Sequence, residues 1–464
     1  IPYGISNFDQ IRSEGFFYAD KTPFLAVLEQ SYRHVVFLRP RRFGKSTLVS
    51  LLEHYYDLGK RARFEELFRG LWIHEHPTRE RNGYLVLTLD FSAVATDAGP
   101  EVLRRTFFEA VRGRIGAFLL RYRDRVPPLG DVYARLDHFQ DAEGLIGTVL
   151  DVVSTTPHKI YLLIDEYDHF ANRLLAGGAA DMYEALVKKT GFVRTFYATL
   201  KSGTTSGAVG RMFITGVSPL MLDDLSSGFN IATHASLSPR LNTLAGFTRA
   251  DTARAVDEFL AARPRLAEIP GLGDHGALLD LLEEHYDGYR FSEDAEERVF
   301  NSDMVLYFLR ELGDRERYPR NMLDRNVRTE YGHLQRIGTL SGTAAAERRS
   351  LLQTILSEGH IRSEIVEQFG VKSLASHAPF LSLLYFLGML TLGTSPRNLL
   401  GYDLEIPNRV IRELQWEHLA LMLEEEAKVT IHVDELRVAL AAMAVQGEIT
   451  PFLELFHQQV LQTF

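Results

Sequence analysis

A basic loop carries the clearest chemical signal in the sequence: Arg39-Pro40-Arg41-Arg42-Phe43-Gly44-Lys45-Ser46-Thr47. The loop follows an apolar segment, His34–Leu38, and leads into a helical pattern, Thr47–Tyr56. A strand, a loop ending in Gly-Lys-Ser and a helix form the context in which backbone N–H groups and a helix N-terminus face a phosphate. We therefore predict that the nine residues of this loop bind the phosphates of a nucleotide.

Two side chains of the loop have distinct predicted roles. Lys45 is a mobile point charge that reaches the β- and γ-phosphates, and the Ser46 hydroxyl is a ligand for Mg²⁺. Arg39 stands where the usual motif has glycine, so the loop must close without one there, and the fixed φ of Pro40 helps. The alternative interpretation is a basic loop with a chance Gly-Lys-Ser.

A second signal is the acidic end of an apolar segment, Tyr161-Leu162-Leu163-Ile164-Asp165-Glu166. Ligands of an open parallel sheet bind at the carboxyl ends of its strands. Asp165 is predicted to hold Mg²⁺, directly or through water, and Glu166 to orient and polarise the attacking water. Acidic pairs also occur at strand ends by chance, but this pair follows a phosphate loop in the order that such folds use.

The segment Phe213-Ile214-Thr215-Gly216 supplies a third strand end. Thr215 is predicted to sense the γ-phosphate or position the water; the alternative is a threonine that only caps the strand.

Hydrolysis of a nucleoside triphosphate also needs an arginine that stabilises the charge on the γ-phosphate. We favour Arg42 acting in cis and count it with Glu166, Lys45 and Thr215 as catalytic. Arg41 is a second candidate in cis, whereas Arg194 and Arg211 are candidates across a subunit interface. The competing hypothesis is that Arg41 and Arg42 only pair with acidic side chains, including Asp168, to hold the loop.

An α/β fold must position these strand ends. Short apolar strands alternate with helical patterns through residues 31–245, which is typical of a mostly parallel sheet covered by helices. The predicted strands are His34–Leu38, Tyr84–Phe91, Ile160–Ile164 and Met212–Val217. Helical patterns between them include Glu101–Phe118 and Leu145–Val153.

The chain divides into four predicted parts. Residues 1–30 form an N-terminal extension, a cap or an extra edge strand, and residues 31–245 form the core. Residues 246–370 form a helical lid, with helices predicted at Thr248–Phe259, Gly276–His285 and Asp303–Leu312. Residues 371–464 form a winged-helix-like module, because the order helix, strand, turn, strand, helix is expected over residues 377–412.

Composition narrows the class of protein. The net charge is −10, which gives no support for nucleic-acid binding, and the absence of cysteine excludes disulfides and Cys-ligated zinc. No apolar run is long enough to span a membrane; the longest, Phe380 to Leu392, is interrupted by Ser382 and Gly388. The cytoplasm is therefore the expected location.

The chain resembles the bacterial AAA-ATPase-like family in a series of further segments, which occur in the same order as in that family. They are Ile1–Ile5, Tyr18–Thr22, Leu163–Asp168, Phe213–Ser218, Ser227–Asn230, Tyr286–Phe291 and Ile406–Asn408, together with the loop Arg39–Ser46, whose glycine-poor form is similar to the family's pattern. The resemblance implies a P-loop NTPase core of the AAA+/STAND type with ATP as the nucleotide, followed by a helical lid and a winged helix. It does not supply a partner, so a protein partner, a homo-oligomer and nucleic acid remain open.

Many members of that family carry a PD-(D/E)XK nuclease-like domain at the C-terminus. The late Glu426-Ala427-Lys428 lies in a helical pattern and is disfavoured as a nuclease site, so a nuclease is expected only after Phe464. His74-Glu75-His76 is disfavoured as a metal site because Pro77 follows at once. Tyr286–Phe291 is predicted to contact adenine or the joint between core and lid; the alternative is a turn that packs two aromatic side chains on the core.

Three functions follow as hypotheses. The first is Mg²⁺-dependent ATP hydrolysis that drives a conformational switch or remodelling, with a nuclease-like domain coupled to it where one is present. The second is a slow, nucleotide-gated module that recruits a partner. The third is a winged-helix DNA-binding regulator. Glu166 favours the first, and the acidic balance weighs against the third.

Overall fold

The structure is a computed structural model. It describes residues 1–96, 99–187, 191–225, 230–269, 272–324, 345–427 and 447–457, together with 328, 435, 438–440 and 442–443. The predicted family segment at Ser227–Asn230 lies, apart from Asn230, outside the described residues, and so does Lys428.

A five-stranded parallel sheet forms the centre of the N-terminal half. Its strands are β1 (His34–Leu38), β2 (Leu85–Asp90), β3 (Ile160–Asp165), β4 (Val209–Gly216) and β5 (Thr233–His234). The order across the sheet is β2-β3-β4-β1-β5. Every residue of β3 and β4 is buried, as expected for strands covered on both faces. The predicted strands are confirmed, and the sequence pattern missed only the short edge strand β5 among the strands of this sheet.

The strand order brings the three predicted strand ends to one edge of the sheet. β4 lies between β1 and β3, and its register pairs Leu38 with Gly216 and Ile164 with Ile214. Because all of these strands are parallel, the phosphate loop, the acidic pair and Thr215 emerge on the same side. The α/β P-loop NTPase core predicted from the motifs is therefore confirmed.

Helices cover the sheet and continue through the C-terminal half. In chain order they are α1 (Phe8–Ser13), α2 (Pro23–Ser31), α3 (Lys45–Tyr56), α4 (Phe64–Phe68), α5 (Trp72–Glu75), α6 (Pro100–Tyr122), α7 (Pro127–Ala134), α8 (Ala142–Ser154), α9 (His169–Ala176), α10 (Ala180–Val187), α11 (Phe192–Thr205), α12 (Leu220–Leu225), α13 (Arg249–Ala261), α14 (His275–Tyr286), α15 (Ser302–Arg315), α16 (Ala345–Glu358), α17 (His377–Phe386), α18 (Arg409–Ala427) and α19 (Thr450–Phe456). Short 3₁₀ turns lie at Leu58–Arg63, Leu136–His138, Pro239–Leu241, Pro264–Glu268 and Val371–Ala375.

The N-terminal extension is a cap. Residues 1–30 contain α1 and most of α2, and the Phe8 backbone N–H donates to the Ser50 hydroxyl of α3 at 2.9 Å. Tyr3 packs against Tyr307 of α15, with ring centroids 5.9 Å apart. The extension therefore bridges the core and the helical region, and the predicted alternative of an extra edge strand is wrong because these residues bury apolar side chains as helices.

A small antiparallel sheet follows the helices of the C-terminal half. Its strands are β6 (His360–Ser363), β7 (Thr391–Leu392) and β8 (Tyr402–Glu405), in the order β6-β8-β7. The predicted order of helix, strand, turn, strand and helix is present as α17, β7, β8 and α18. β6 lies before the predicted boundary at residue 370, but it pairs with β8. None of the helices in the described ranges combines the length and apolar character needed to cross a membrane.

Candidate nucleotide site

The phosphate loop turns sharply between β1 and α3. Arg42 and Gly44 both have positive φ, at 70° and 83°. Glycine adopts this conformation at no steric cost, whereas an arginine there costs on the order of 1 kcal/mol. α3 begins at Lys45 with Gly44 as its N-cap residue, so the N–H groups of its first turn face the loop. This is the geometry in which a helix N-terminus binds an anion.

Lys45 is buried at the start of α3. Its ammonium donates a hydrogen bond to the Pro40 carbonyl oxygen at 2.9 Å. Burial lowers the pKa of Lys45, and the nearby carboxylates of Glu166 and Asp165 act in the opposite direction. The loop thus holds its own lysine in a position between its backbone and the acidic end of β3.

The side-chain oxygens of Ser46 and Asp165 lie beside each other. Asp165 is the last residue of β3, and its carboxylate accepts a hydrogen bond from the Ser46 hydroxyl. Burial raises the pKa of Asp165 to about 6, although the bond from Ser46 acts to lower it. A hydroxyl beside a carboxylate is a donor set that suits Mg²⁺, which typically takes one or two protein oxygens and completes its shell with water and phosphate.

Glu166 follows Asp165 with a strained backbone, at φ 52°. Its carboxylate Oε2 lies 3.0 Å from Nδ1 of His169. Burial acts to raise the pKa of Glu166, but the bond from His169 and the charges of Lys45 and Arg41 outweigh it and hold the pKa at about 2. Glu166 is therefore an ionised carboxylate in the pH range where proteins work.

The phosphate loop also rests on the first turn of α15. The Asn301 side-chain amide donates to the Arg41 carbonyl at 3.3 Å, and the Ser302 hydroxyl donates to the Arg42 carbonyl at 3.2 Å. The Asp303 carboxylate lies 3.2 Å from the Arg42 guanidinium. Sequence reasoning missed this contact, although Asn301-Ser302-Asp303 before a helical pattern is a recognisable N-cap signal.

Two joined cavities lie beside the loop. The first, of about 410 Å³, is lined by Arg41, Arg42 and residues 44–47 of the loop, by Glu166 and His169, and by residues of the N-terminal turn at Pro2–Ser6. The second, of about 80 Å³, is mostly apolar, and its lining includes Phe17, Phe43 and Phe247. Both cavities share the following residues: Pro2, Ile5, Gly44, Thr47, Ser302 and Leu306. A polar cavity that continues into an aromatic one suits a ligand with a charged end and a planar end.

Arg39 lies outside both cavities. Its side chain is 1% exposed, and its guanidinium donates to the carbonyl oxygens of Leu38, Ser236 and Leu241 at 2.7–2.9 Å. It also lies between the rings of Phe37 and Phe291, at 4.2 and 4.1 Å from their centroids. The loop thus accommodates Arg39 in the place of the usual glycine with the side chain pointing into the core, and phosphate binding by the loop at Arg39 stays a prediction.

Three other predicted site residues contact other parts of the protein: Pro40, Phe43 and Thr215. Phe43 packs edge-on against Tyr289 at 4.8 Å and against Phe291 at 5.5 Å, so Tyr286–Phe291 packs two aromatic side chains on the core, as one of its predicted roles had it. Pro40 packs closely on Gly388. The Thr215 hydroxyl is fully buried and donates to the Phe37 carbonyl at 2.8 Å. That bond joins β4 to β1 and gives Thr215 a structural contact; its role as a γ-phosphate sensor stays a prediction.

The other predicted residues are placed as follows. Arg211 binds Glu80 and backbone carbonyls of α2 near the opposite end of β4, far from the strand ends of the site. Arg194 lies on α11. The Asp168 carboxylate accepts hydrogen bonds from the backbone N–H groups of Val217 and Ser218. His74 pairs with Glu65 and Glu75, and the described residues contain no cluster of three or more acidic or histidine side chains fit for a metal.

Comparison with known proteins supports the same class. The model of the AAA-ATPase-like family, described as "Predicted AAA-ATPase", matches residues 2–226. An uncharacterized protein in the vnfD 5′ region of Azotobacter chroococcum mcd 1 is 28% identical over 312 residues, which are 66% of this chain and 51% of that protein. The chain thus spans about half the length of this relative. The structure of the Aeropyrum pernix ORC1 protein in complex with DNA aligns over 86% of this chain and 91% of that chain, with 13% identity; its TM-score of 0.30 is too low to carry an argument.

Proposed function

With residues 2–226 belonging to the AAA-ATPase-like family, we propose that this chain binds ATP with Mg²⁺ and hydrolyses it to drive a conformational switch. The observation that carries the proposal is the convergence of three features at one cavity, which is lined by Lys45, Ser46 and Glu166. These are the buried ammonium of Lys45, the paired oxygens of Ser46 and Asp165, and the ionised carboxylate of Glu166. An ATPase-type function is supported at the level of the family.

The first step is binding of the triphosphate at the N-terminus of α3. Backbone N–H groups of the first turn meet the phosphate oxygens, and Lys45 exchanges its bond to the Pro40 carbonyl for bonds to the β- and γ-phosphates. Arg41 and Arg42 line the same cavity and add positive charge. The aromatic cavity beside Gly44 takes the base, between the N-terminal turn at Pro2–Ile5 and Phe247.

The Ser46 hydroxyl and the Asp165 carboxylate would hold Mg²⁺, which would supply positive charge to neutralise the phosphates. Asp165 must be ionised for this role. Its buried position keeps its pKa near 6 in the ion-free protein, so a bound cation stabilises the charged form. Ser46 follows Lys45 directly, so both side chains reach the phosphates from a single turn of α3.

The chemical step needs a water positioned in line with the γ-phosphate. Glu166 accepts a hydrogen bond from that water, orients it and increases its nucleophilicity as charge develops. A carboxylate with a pKa of about 2 is a weak base, so orientation contributes more than full proton removal. The proton leaves with the phosphate product or to solvent.

The conformational output is proposed to pass through α15. The phosphate loop holds the first turn of α15 by three side-chain contacts, and Tyr3 of the N-terminal turn holds its middle. A nucleotide that binds Arg42 and the N-terminal turn changes both sets of contacts with α15, those of the phosphate loop and those of Tyr3. We propose a core at residues 31–245, a lid from 246 and a winged-helix-like module, with the last boundary placed before β6 rather than at residue 370.

Phosphate release by the full chain tests the proposal. Turnover of ATP in the presence of Mg²⁺ is expected, with none above background after chelation by EDTA. The same assay with and without duplex DNA separates the alternatives, since stimulation by DNA favours the regulator hypothesis and tight binding without turnover favours the nucleotide-gated module. Absence of both ATP binding and turnover contradicts the proposed function.

A further inference from the structure

We propose that His169 is a positioning residue that holds the Glu166 carboxylate in its working orientation. The inference rests on the proposed hydrolysis of ATP, because it assigns a role within that reaction. His169 is the first residue of α9, and Glu166 begins the turn that follows β3. Both side chains line the larger cavity beside the phosphate loop.

The contact between the two side chains has a defined direction. Nδ1 of His169 lies 3.0 Å from Oε2 of Glu166. An ionised carboxylate can only accept a hydrogen bond, so Nδ1 carries the hydrogen and donates it. The histidine side chain is 16% exposed and the glutamate side chain 25% exposed, which leaves the pair open to the cavity on one side. One carboxylate oxygen is thereby fixed, and the other is available to a water.

Glu166 needs such a restraint because positive charges surround it. Lys45 and Arg41 both attract its carboxylate. A glutamate drawn onto either cation would compete with the phosphates instead of orienting a water. The hydrogen bond to His169 opposes that movement, and misplacement of a catalytic group by about 1 Å can cost on the order of 100-fold in rate.

His169 is itself held by a rigid set of contacts. The preceding Asp168 is 1% exposed, and its carboxylate accepts bonds from the backbone N–H groups of Val217 and Ser218 after β4. The Asn172 side-chain amide donates to the same carboxylate at 2.6 Å. These bonds fix the start of α9 relative to β4. The imidazole therefore projects from a fixed backbone, as a residue that positions another group requires.

Steady-state kinetics of the full chain tests the inference through His169→Ala and His169→Asn. Alanine removes the donor, whereas the asparagine side-chain nitrogen takes roughly the place of Nδ1. His169→Ala is expected to lower kcat about tenfold with KM for ATP changed less than twofold, since orientation and not binding is lost. His169→Asn is expected to restore kcat to within about threefold of wild type. His138→Ala, at an exposed histidine of the turn Leu136–His138, is the matched control and should leave kcat unchanged.

A double-mutant cycle separates positioning from a general structural effect. Glu166→Asp retains a carboxylate but is one methylene shorter, so it cannot keep the bond to His169. In that background His169→Ala is expected to change kcat less than twofold. The inference is overturned if His169→Ala keeps the wild-type kcat, if it raises KM alone, or if it lowers kcat equally in both backgrounds. Wild-type protein that binds ATP without any turnover contradicts the proposed function as well, whereas turnover that is indifferent to His169 contradicts only this inference.

Discussion

The guanidinium of Arg42 lies 3.2 Å from the carboxylate of Asp303, so the phosphate loop and the first turn of α15 share an ion pair. The side chains are 26% and 17% exposed, which screens the pair only in part. The γ-phosphate is a stronger anion than Asp303 and would face the same arginine. Competition for Arg42 thus gives a physical route from nucleotide binding to the position of α15.

Replacement of Lys45 with alanine is expected to reduce ATP affinity by about two orders of magnitude, because a charge-assisted contact to the phosphates is lost. Calorimetric titration with ATP and Mg²⁺ measures the change. Lys372→Ala is the matched control, since that ammonium is 85% exposed and remote in sequence from the loop. A folded Lys45→Ala protein with wild-type affinity would remove the basis for the assigned phosphate site.

Replacement of Glu166 with glutamine is expected to leave ATP affinity within about threefold of wild type and to lower kcat by at least about 100-fold. Glutamine keeps the size and still accepts a hydrogen bond, yet it cannot polarise water as a carboxylate does. Phosphate release and equilibrium binding, measured on the same preparation, give the two quantities. Hydrolysis at the wild-type rate would show that another group orients the water.

Replacement of Asp165 with asparagine is expected to weaken Mg²⁺-dependent ATP binding and to stabilise the ion-free protein. The folded-state pKa of about 6 lies above the usual value of 3.8, so ionised Asp165 costs stability above pH 6. That cost is on the order of 3 kcal/mol and disappears as the pH falls from 6 to below 3.8. Urea unfolding in EDTA should therefore show the gain at pH 7.5 and much less at pH 4.5. An equal gain at both pH values would contradict the assignment.

Replacement of Arg42 with alanine is expected to lower kcat about 100-fold or more while ATP affinity falls far less, because the arginine stabilises charge that develops on the γ-phosphate. Specific activity should not depend on protein concentration if Arg42 acts in cis. A steep rise with concentration would instead place the arginine on a neighbouring subunit. Asp303→Asn serves as the control that breaks the ion pair and leaves the guanidinium in place.

Replacement of Thr215 with valine is expected to lower the free energy of unfolding by about 1–2 kcal/mol, because the Phe37 carbonyl loses its buried hydroxyl donor. The turnover per folded molecule should stay within about twofold of wild type. Thr215→Ser keeps the donor and is expected to be close to neutral. A large loss of turnover in a stable Thr215→Val protein would support the predicted role of Thr215 as a γ-phosphate sensor.

The strands, and the site residues at their carboxyl ends, were predictable from the sequence because each depends on a local pattern of residue types. The segments of β1 and β3 are continuous apolar runs, and the sequence Gly44-Lys45-Ser46 predicts the start of α3. The same patterns also predicted that Asp165 and Glu166 emerge beside the loop, since parallel strands share a carboxyl edge. The hydroxyl of Ser46 beside the carboxylate of Asp165 is the direct structural result.

The direction of individual side chains was not predictable. Arg39 belongs to a basic run, and nothing in its neighbours shows that Phe291, more than 250 residues later, supplies half of its environment. Thr215 likewise depends on Phe37, a partner brought to it by the tertiary fold. The short strands β5 and β6 were missed because they have too few residues for a period-two pattern to appear.

The buried Arg39 has a consequence for how far the predicted parts of the chain can be separated. Its cation is enclosed by the sheet on one side and by Phe291 on the other, and Phe43 and Pro40 of the same loop rest on Tyr289 and Gly388. Ending the chain at residue 245 would therefore uncover a desolvated guanidinium and an aromatic surface inside the phosphate loop. The loop and the C-terminal half are expected to unfold in one cooperative transition, and residues 31–245 alone are not expected to fold as an autonomous unit.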